Sequence, residues 1–327
     1  MRNKKILALF LGIDFLLVLY IAGAWFFSDV MVHFKQRTLA EDQAKLELSG
    51  VGDMGLPEPE SVRIVADFAP PLQPVAETDV IEIGAWYFRH PAAQAAGRSK
   101  CAVILHHGHT GTRWGAIKYG PLFWKRGCDL LSLDSRYHGE SGGSCGSYGY
   151  HERHDMRRVI AWLQQRTGLP KSQIGLMGES MGAAVSLMTA ALEPELAFVA
   201  ADSSYGDLKN VLMERGAMQY GDLLLSIMLP GAEFFGNMRC NMRVDEVSPA
   251  RHAANVRIPA FISHSTADAG TLPYHSEDIY ANLPGDARVL HMNDWNAPHA
   301  RDINVNYAGY EAHMDAFLAQ HVPTFGR

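Results

Sequence analysis

The feature that most constrains this chain is an abrupt change of character around residue 178. A short apolar run at 174–177 leads directly into Gly178-Glu179-Ser180-Met181-Gly182, and small residues (Ala183, Ala184, Ser186) follow. The order is that of a buried strand, a tight turn and a closely packed helix. Two glycines allow the turn because neither carries a side chain that would strike the adjoining strand or helix. The serine between them is lifted to the sheet edge, at the positive end of the following helix. The pattern GxSxG recurs by chance, so its strand–turn–helix setting carries the argument. The plainer alternative is an ordinary strand–helix turn in which Ser180 only caps the helix.

The rest of the chain repeats this alternation. Strand signals fall at 61–66, 81–88, 101–106, 128–133, 174–177, 198–201, 260–263 and 288–292. Helical signals fall at 114–126, 152–167, 181–192 and 307–318. In the second of these, Met156, Val159, Ile160 and Leu163 share one face, and Gly168 with Pro170 supplies the stop. Strands alternating with helices predict an α/β fold: a mainly parallel eight-stranded sheet with helices on both faces. Residues 205–251 break the rhythm. They are Met-rich, helical in composition and too long for a simple crossover, which predicts a helical cap over the C-terminal edge of the sheet. Residues 51–74, rich in Pro and Gly, cover the first strand signal, and one domain is expected over 59–327. Charged residues make up 20% and the net charge is −6, with no Lys/Arg run that could track phosphates, so nucleic acid is not an expected partner.

The N-terminus is of another kind. Arg2, Lys4 and Lys5 precede an apolar run at 6–27 broken only by Asp14. A helix there would just cross a hydrocarbon core of roughly 30 Å, which predicts a single-pass anchor at 1–27. A cleaved signal peptide is the competing reading, because Ala22-Gly23-Ala24 resembles a cleavage site. Asp14 reads as a tolerated defect. The basic residues before the span favour an inside N-terminus, with the following domain on the exported side. Residues 28–58 read as a stalk, or as a helix lying on the domain or the membrane. Four cysteines, Cys101, Cys128, Cys145 and Cys240, show no metal-ligand spacing. Cys101 lies six residues before His107 and Cys128 six before Asp134, so both can start neighbouring strands at the same level, a hint of pairing. Small buried thiols are the preferred reading.

A serine hydroxyl needs a base to take its proton, and the base needs an acid to orient it. Downstream of Ser180, Asp268 follows the strand at 260–263 by a short polar turn, which brings it to the same sheet edge. Asp202 is the alternative acid; Asp294 lies too near the histidine site. Among the 15 histidines, His299 lies in the loop after the last strand and can reach that edge. His313 sits within the terminal helix, and His264 reads as a support of the acid turn. Backbone donors for an oxyanion are expected from Met181 and from the loop at 106–112, where His109 is first choice and Thr110 second. No metal or organic cofactor is implied.

With these residues in view the chain resembles bacterial α/β-hydrolases of the broad serine-aminopeptidase-like and Bem46-like group. The matching pieces are HHGHTGT at 106–112, DSRYHGESGG at 134–143, GESMGAA around Ser180 and ADSSY at 201–205, followed by VSPARHAANVRIP at 247–259, SHSTAD at 263–268 and HARD…YEAHMDAFL at 299–318. The resemblance implies the α/β-hydrolase fold and, independently, a triad of Ser180, Asp268 and His299. It departs from the family at His264-Ser265, where His-Gly is usual, and in one extra residue between Asp268 and Leu272-Pro273. The expected activity is hydrolysis of a carboxylic ester or related acyl bond of a small molecule through an acyl-serine intermediate. A peptidase-like hydrolase and a membrane-anchored non-catalytic binding protein are the alternatives.

Overall fold

The computed structural model describes residues 2–65 and 81–327. Ala66 of the first strand signal and the Pro-rich end of the 51–74 stretch lie outside the described residues. The strands are β1 (Glu60–Val65), β2 (Glu82–Phe88), β3 (Ala102–His106), β4 (Asp129–Leu133), β5 (Ile174–Glu179), β6 (Phe198–Asp202), β7 (Ala260–Ser265) and β8 (Arg288–Asn293). They form one sheet in the order β1-β2-β4-β3-β5-β6-β7-β8. β2 runs against both its neighbours and all other pairs are parallel, so the expected eight-stranded, mainly parallel sheet is present.

The helices are α1 (Arg2–Val32), α2 (Leu39–Lys45), α3 (Pro91–Ala96), α4 (Arg113–Ala116), α5 (Gly120–Trp124), α6 (Glu152–Thr167), α7 (Met181–Ala190), α8 (Leu208–Tyr220), α9 (Asp222–Cys240), α10 (Pro249–Ala253), α11 (Tyr274–Asn282), α12 (Asp302–Val305) and α13 (Tyr307–His321). Alternate residues of the central strands serve opposite faces. Ile104, Leu131, Leu176 and Ile262 pack with α6 and α7 through Met156, Ile160, Val185 and Met188. Leu105, Leu130, Met177 and Phe261 pack on the other face with Tyr119, Phe123, Met314 and Phe317. Burial on both faces is why these strands read as continuous apolar runs.

The helix expected over 114–126 is broken. A 3₁₀ turn at Ile117–Tyr119 separates α4 from α5, and Pro121 sits in the first turn of α5. Proline offers no amide to the preceding turn and its ring crowds the carbonyl four residues back, so the helix restarts there.

The cap consists of α8 and α9, joined at Gly221 (φ +85°) and inserted between β6 and β7. α1 lies along α9. A Cβ on Gly231 would come 2.6 Å from the Ala24 Cβ, so the glycine permits this close approach. Trp25 meets Phe235 edge-on, and Arg239 pairs with Asp29 at 2.8 Å. Residues 28–58 are seated on the domain: buried Asp42 of α2 accepts the Thr112 amide (2.8 Å) and hydroxyl (2.9 Å).

The preference for free thiols is overturned. Cys101 is bonded to Cys128 and Cys145 to Cys240. β3 and β4 are parallel neighbours with Ala102 opposite Asp129, which brings the preceding cysteines side by side with Cα atoms 4.6 Å apart. The first bridge spans 27 residues. On the loop-entropy model, replacing Cys101 and Cys128 together by Ala should lower the unfolding free energy by about 3–4 kcal/mol, read from urea denaturation. A loss below about 1 kcal/mol would mean the two strands are held without the bridge.

Candidate active site

Ser180 opens α7 with φ +52° and ψ −117°, a conformation unfavourable for a residue with a side chain. The surroundings impose it. A Cβ on Gly178 would lie 2.2 Å from the Gly182 carbonyl oxygen, and one on Gly182 would lie 2.2 Å from that of His106. The Ser180 amide donates to the Asp202 carbonyl at 2.8 Å, fixing the turn to β6.

His299, on the loop between β8 and α12, places Nε2 2.8 Å from Ser180 Oγ and Nδ1 2.6 Å from Asp268 Oδ2. Asp268 follows β7 and is buried. Its Oδ1 accepts the amides of Gly270 (2.8 Å) and Thr271 (2.9 Å). Its Oδ2 also lies 3.1 Å from His264 Nε2. Burial pushes the Asp268 carboxyl up, but hydrogen bonds from His264 and His299, the field of His299 and the Thr271 amide outweigh it. The group is held well below the usual carboxylate range. An ionised Asp268 only accepts, so His299 Nδ1 carries the proton and Nε2 presents its lone pair to the Ser180 hydroxyl. The same logic fixes His264: Nε2 faces two acceptors, Asp268 and the Thr271 carbonyl (2.9 Å), and donates, while Nδ1 accepts from Ser276 Oγ at 2.7 Å.

Three residues not picked out from sequence hold the His299 loop. Lys118, nearly buried, pairs with Glu179 at 2.6 Å and donates to the Ala300 carbonyl. The Ser203 hydroxyl accepts the Ala300 amide at 3.2 Å, and the Ser265 hydroxyl donates to the Ala297 carbonyl at 2.7 Å. Ser265 is the position where the related pattern has glycine, so the departure supplies a tie between the acid turn and the histidine loop. A hint was available for Ser203, which lies in the ADSSY segment. Nothing in the sequence pointed to Lys118, whose carboxylate partner lies 61 positions away.

In the loop at 106–112, the Gly108 amide faces Glu179 Oε1 (3.4 Å), the Thr110 amide donates to His138 Nε2 (3.2 Å) and the Gly111 amide to the Gly108 carbonyl (3.0 Å). The His109 amide has no partner among the described residues, and the Met181 amide opens α7, where no carbonyl of its own helix reaches it. Thr110 is therefore occupied, whereas His109 and Met181 are free to donate. Burial, reinforced by Arg215, His107 and Arg37, pushes the His109 imidazole down to about 3, so the ring is uncharged where it stacks on Tyr148.

The other candidates lie elsewhere. Asp202 is fully buried and accepts the hydroxyls of Tyr119 (2.7 Å) and Ser203 (2.9 Å). Asp294 is exposed. His313 stacks on His291 with ring centroids 3.8 Å apart.

Two cavities meet at Ser180. One, of about 220 Å³, is apolar and is walled by Val211, Leu225 and Leu229 of the cap and by Phe27, Val30 and Met31 of α1. The other, of about 280 Å³, is polar and reaches Arg37, Lys45, Lys118, Glu179 and Arg301. The participation of α1 in a pocket wall was not anticipated from sequence.

Residues 102–302 match the model of the alpha/beta hydrolase fold family, and the chain belongs to that family. An uncharacterized Bacillus subtilis protein, YqkD, is 31% identical over 218 residues, which cover 66% of this chain and 70% of the relative. An uncharacterized Mycobacterium tuberculosis protein is 31% identical over 126 residues, 38% of this chain and 43% of its own length. Among solved structures, the Pyrococcus furiosus esterase Pf2001 superposes with a TM-score of 0.61 at 22% identity, covering 84% of this chain and 96% of the esterase. Pyrococcus horikoshii acylaminoacyl peptidase gives 0.58 at 14% identity, covering 81% of this chain and 42% of the peptidase. At these identities the two structures share the fold. The chain is thus a hydrolase by family.

A carboxyl whose pKa is depressed in the folded state contributes stability above its unfolded value, near 4, and loses it as pH falls towards the folded value. Between pH 6 and pH 3 the wild type should therefore lose more melting temperature than Asp268→Asn. Parallel curves would show that the carboxylate is not stabilised by its neighbours.

Proposed function

We propose that this protein is a serine hydrolase that cleaves a carboxylic ester, or a related acyl bond, through an acyl-Ser180 intermediate. The observation that carries the reading is the hydrogen-bonded series Ser180 Oγ–His299–Asp268, with contacts of 2.8 and 2.6 Å, set where an apolar and a polar cavity meet. Ser180 Oγ attacks the carbonyl carbon as His299 Nε2 takes the hydroxyl proton. Asp268 stabilises the imidazolium, and the amides of Met181 and His109 receive the charge on the carbonyl oxygen. The tetrahedral species collapses, the bond to the leaving oxygen breaks and His299 returns the proton to it. Water then attacks the acyl-serine by the same steps and releases the acid.

A carboxylesterase- or lipase-like acyl bond fits the apolar cavity. A free-amine substrate of the aminopeptidase kind fits less well, because the polar cavity holds more cations than carboxylates. A binding protein with a retired site would not need the unfavourable Ser180 backbone to be maintained. The serine-aminopeptidase-like and Bem46-like group remains the proposed subfamily on its motifs. α1 carries a 29-residue stretch, Lys4–Val32, long and apolar enough to cross a bilayer. We read it as an anchor with the domain on the exported side; the two disulfides favour that oxidising side.

Labelling with a fluorophosphonate tests the reading. Wild type should react, whereas Ser180→Ala and His299→Ala should not. Each variant should lower kcat on a cleaved ester by about 10⁴-fold or more, and the double variant should be little worse than either, because the residues act as a unit. Full activity of Ser180→Ala would overturn the mechanism. Across 4-nitrophenyl esters, kcat/KM should rise from acetyl to medium chains; a steep preference for acetyl would remove the acyl-chain role of the apolar cavity.

A further inference from the structure

The cap presents an apolar surface that its own fold does not use. The inner residues of α9, among them Leu225, Leu229 and Ala232, are buried against the domain and α1. Its outer stripe, Leu223, Ile227, Phe234 and Met238, is 48–76% exposed. At 100° per residue these four positions fall within about 60° of one another, so they form a single face. That face adjoins α1, whose apolar stretch is exposed from residue 6 to residue 19 and buried at the Ala24 seam. The segment of α1 that walls the apolar cavity (Phe27, Val30, Met31) is its C-terminal end, where the apolar run stops and Asp29 meets Arg239. In a bilayer-spanning α1 this is the level of the membrane–water boundary, so the apolar cavity lies at that boundary and the outer stripe of α9 continues the lipid-facing surface.

The polar cavity carries the matching charge. Arg37 is answered by Asp42 at 3.5 Å and Lys118 by Glu179 at 2.6 Å. Lys45, Arg215 and Arg301 also line it, and none of the three has a carboxylate within ion-pair distance among the described residues. Burial and the repulsion of Arg37 and Arg301 hold Lys45 below the usual lysine range, although Asp42 and Glu179 oppose this. An anion seated there would relieve the crowding.

We infer that the site draws its substrate from the bilayer surface: an acyl ester amphiphile with its chain between α1 and the cap, its carbonyl at Ser180 and an anionic head group among Lys45, Arg215 and Arg301. Chain below and charged head above is how such a molecule already lies at an interface, so entry requires sideways transfer and not extraction into water. After acylation the alcohol carrying the anionic head leaves through the polar cavity with the proton from His299. Water enters by the same route while the chain stays in the apolar cavity.

This inference rests on the serine-hydrolase reading, and one experiment separates the two. The full chain in phosphatidylcholine nanodiscs is assayed on 4-nitrophenyl acetate and on three C16 substrates: monoacylglycerol 3-phosphate, monoacylglycerophosphocholine and monoacylglycerol. Wild type should cleave the acetate and should prefer the phosphate-bearing substrate over the neutral one by at least about tenfold in kcat/KM at low salt, with the preference shrinking at 0.5 M salt. In Lys45→Gln/Arg301→Gln the preference should fall below about threefold through KM. Val30→Trp, which fills the chain cavity from α1, should cut the C16-to-acetate ratio by at least about tenfold. Cleavage of the acetate with no head-group preference, or a preference unchanged in the double variant, overturns the inference and leaves the hydrolase reading standing. An unchanged ratio in Val30→Trp removes the chain from α1. Failure on all four substrates overturns both.

Discussion

The turn at Ser180 is possible only because backbone meets backbone there. Gly178 and Gly182 leave no room for even one carbon atom, and that contact draws α7 down onto β3 and β5. Once the turn is that tight, the intervening residue must adopt a left-handed conformation, and its side chain projects from the sheet edge. The neighbouring amide of Met181 comes to the same spot without any further device. The position of the Ser180 hydroxyl is thus a property of strand–helix packing, to which a large part of the buried core contributes.

The histidine side of the site is arranged differently. His299 lies on an irregular loop, which cannot draw rigidity from a strand or helix, and is positioned instead by contacts to three separate elements. Lys118 links it to Glu179, the residue before Ser180, Ser203 to the end of β6, and Ser265 to the turn that carries Asp268. Asp268 is similarly over-determined, since both its oxygens accept donors other than His299. Such redundancy keeps the imidazole from following its loop away from the serine.

The sequence was most informative where one physical demand fixed the residue type. Strands buried on both faces have to be apolar throughout, and β3, β4, β5 and β6 were located to within a residue or two at most ends. The positions of Ser180, Asp268 and His299 at strand ends followed from the same alternation, and the structure brings the three side chains together. Reading failed where two demands produce the same residues. An apolar α1 that faces lipid and an apolar α1 that packs on α9 look identical, so the seam through Ala24 and Gly231 was invisible. A lysine inside a helical stretch, Lys118, carries no sign of its distant carboxylate. Pro121 did carry a sign, and the break between α4 and α5 could have been read from it. The cysteine pairing was half visible, because equal offsets within two strand signals predict adjacency only if the strands are neighbours.

The bond between Cys145 and Cys240 has a consequence for the cap as a moving part. Cys240 is the last residue of α9, and Cys145 lies in the loop after β4, on the body of the domain. The cap is therefore fastened at both ends, by the chain leaving β6 and by a covalent strap beyond α9. A cap held this way has both chain ends tied to the body of the domain, so any opening has to pivot about them. At the far corner, the glycine turn at Gly221, the cap meets α1, where Tyr220 packs edge-on against Phe27 at the wall of the apolar cavity. Access to the apolar cavity is thus built like a sleeve pinned along its seam, with α1 closing the cuff.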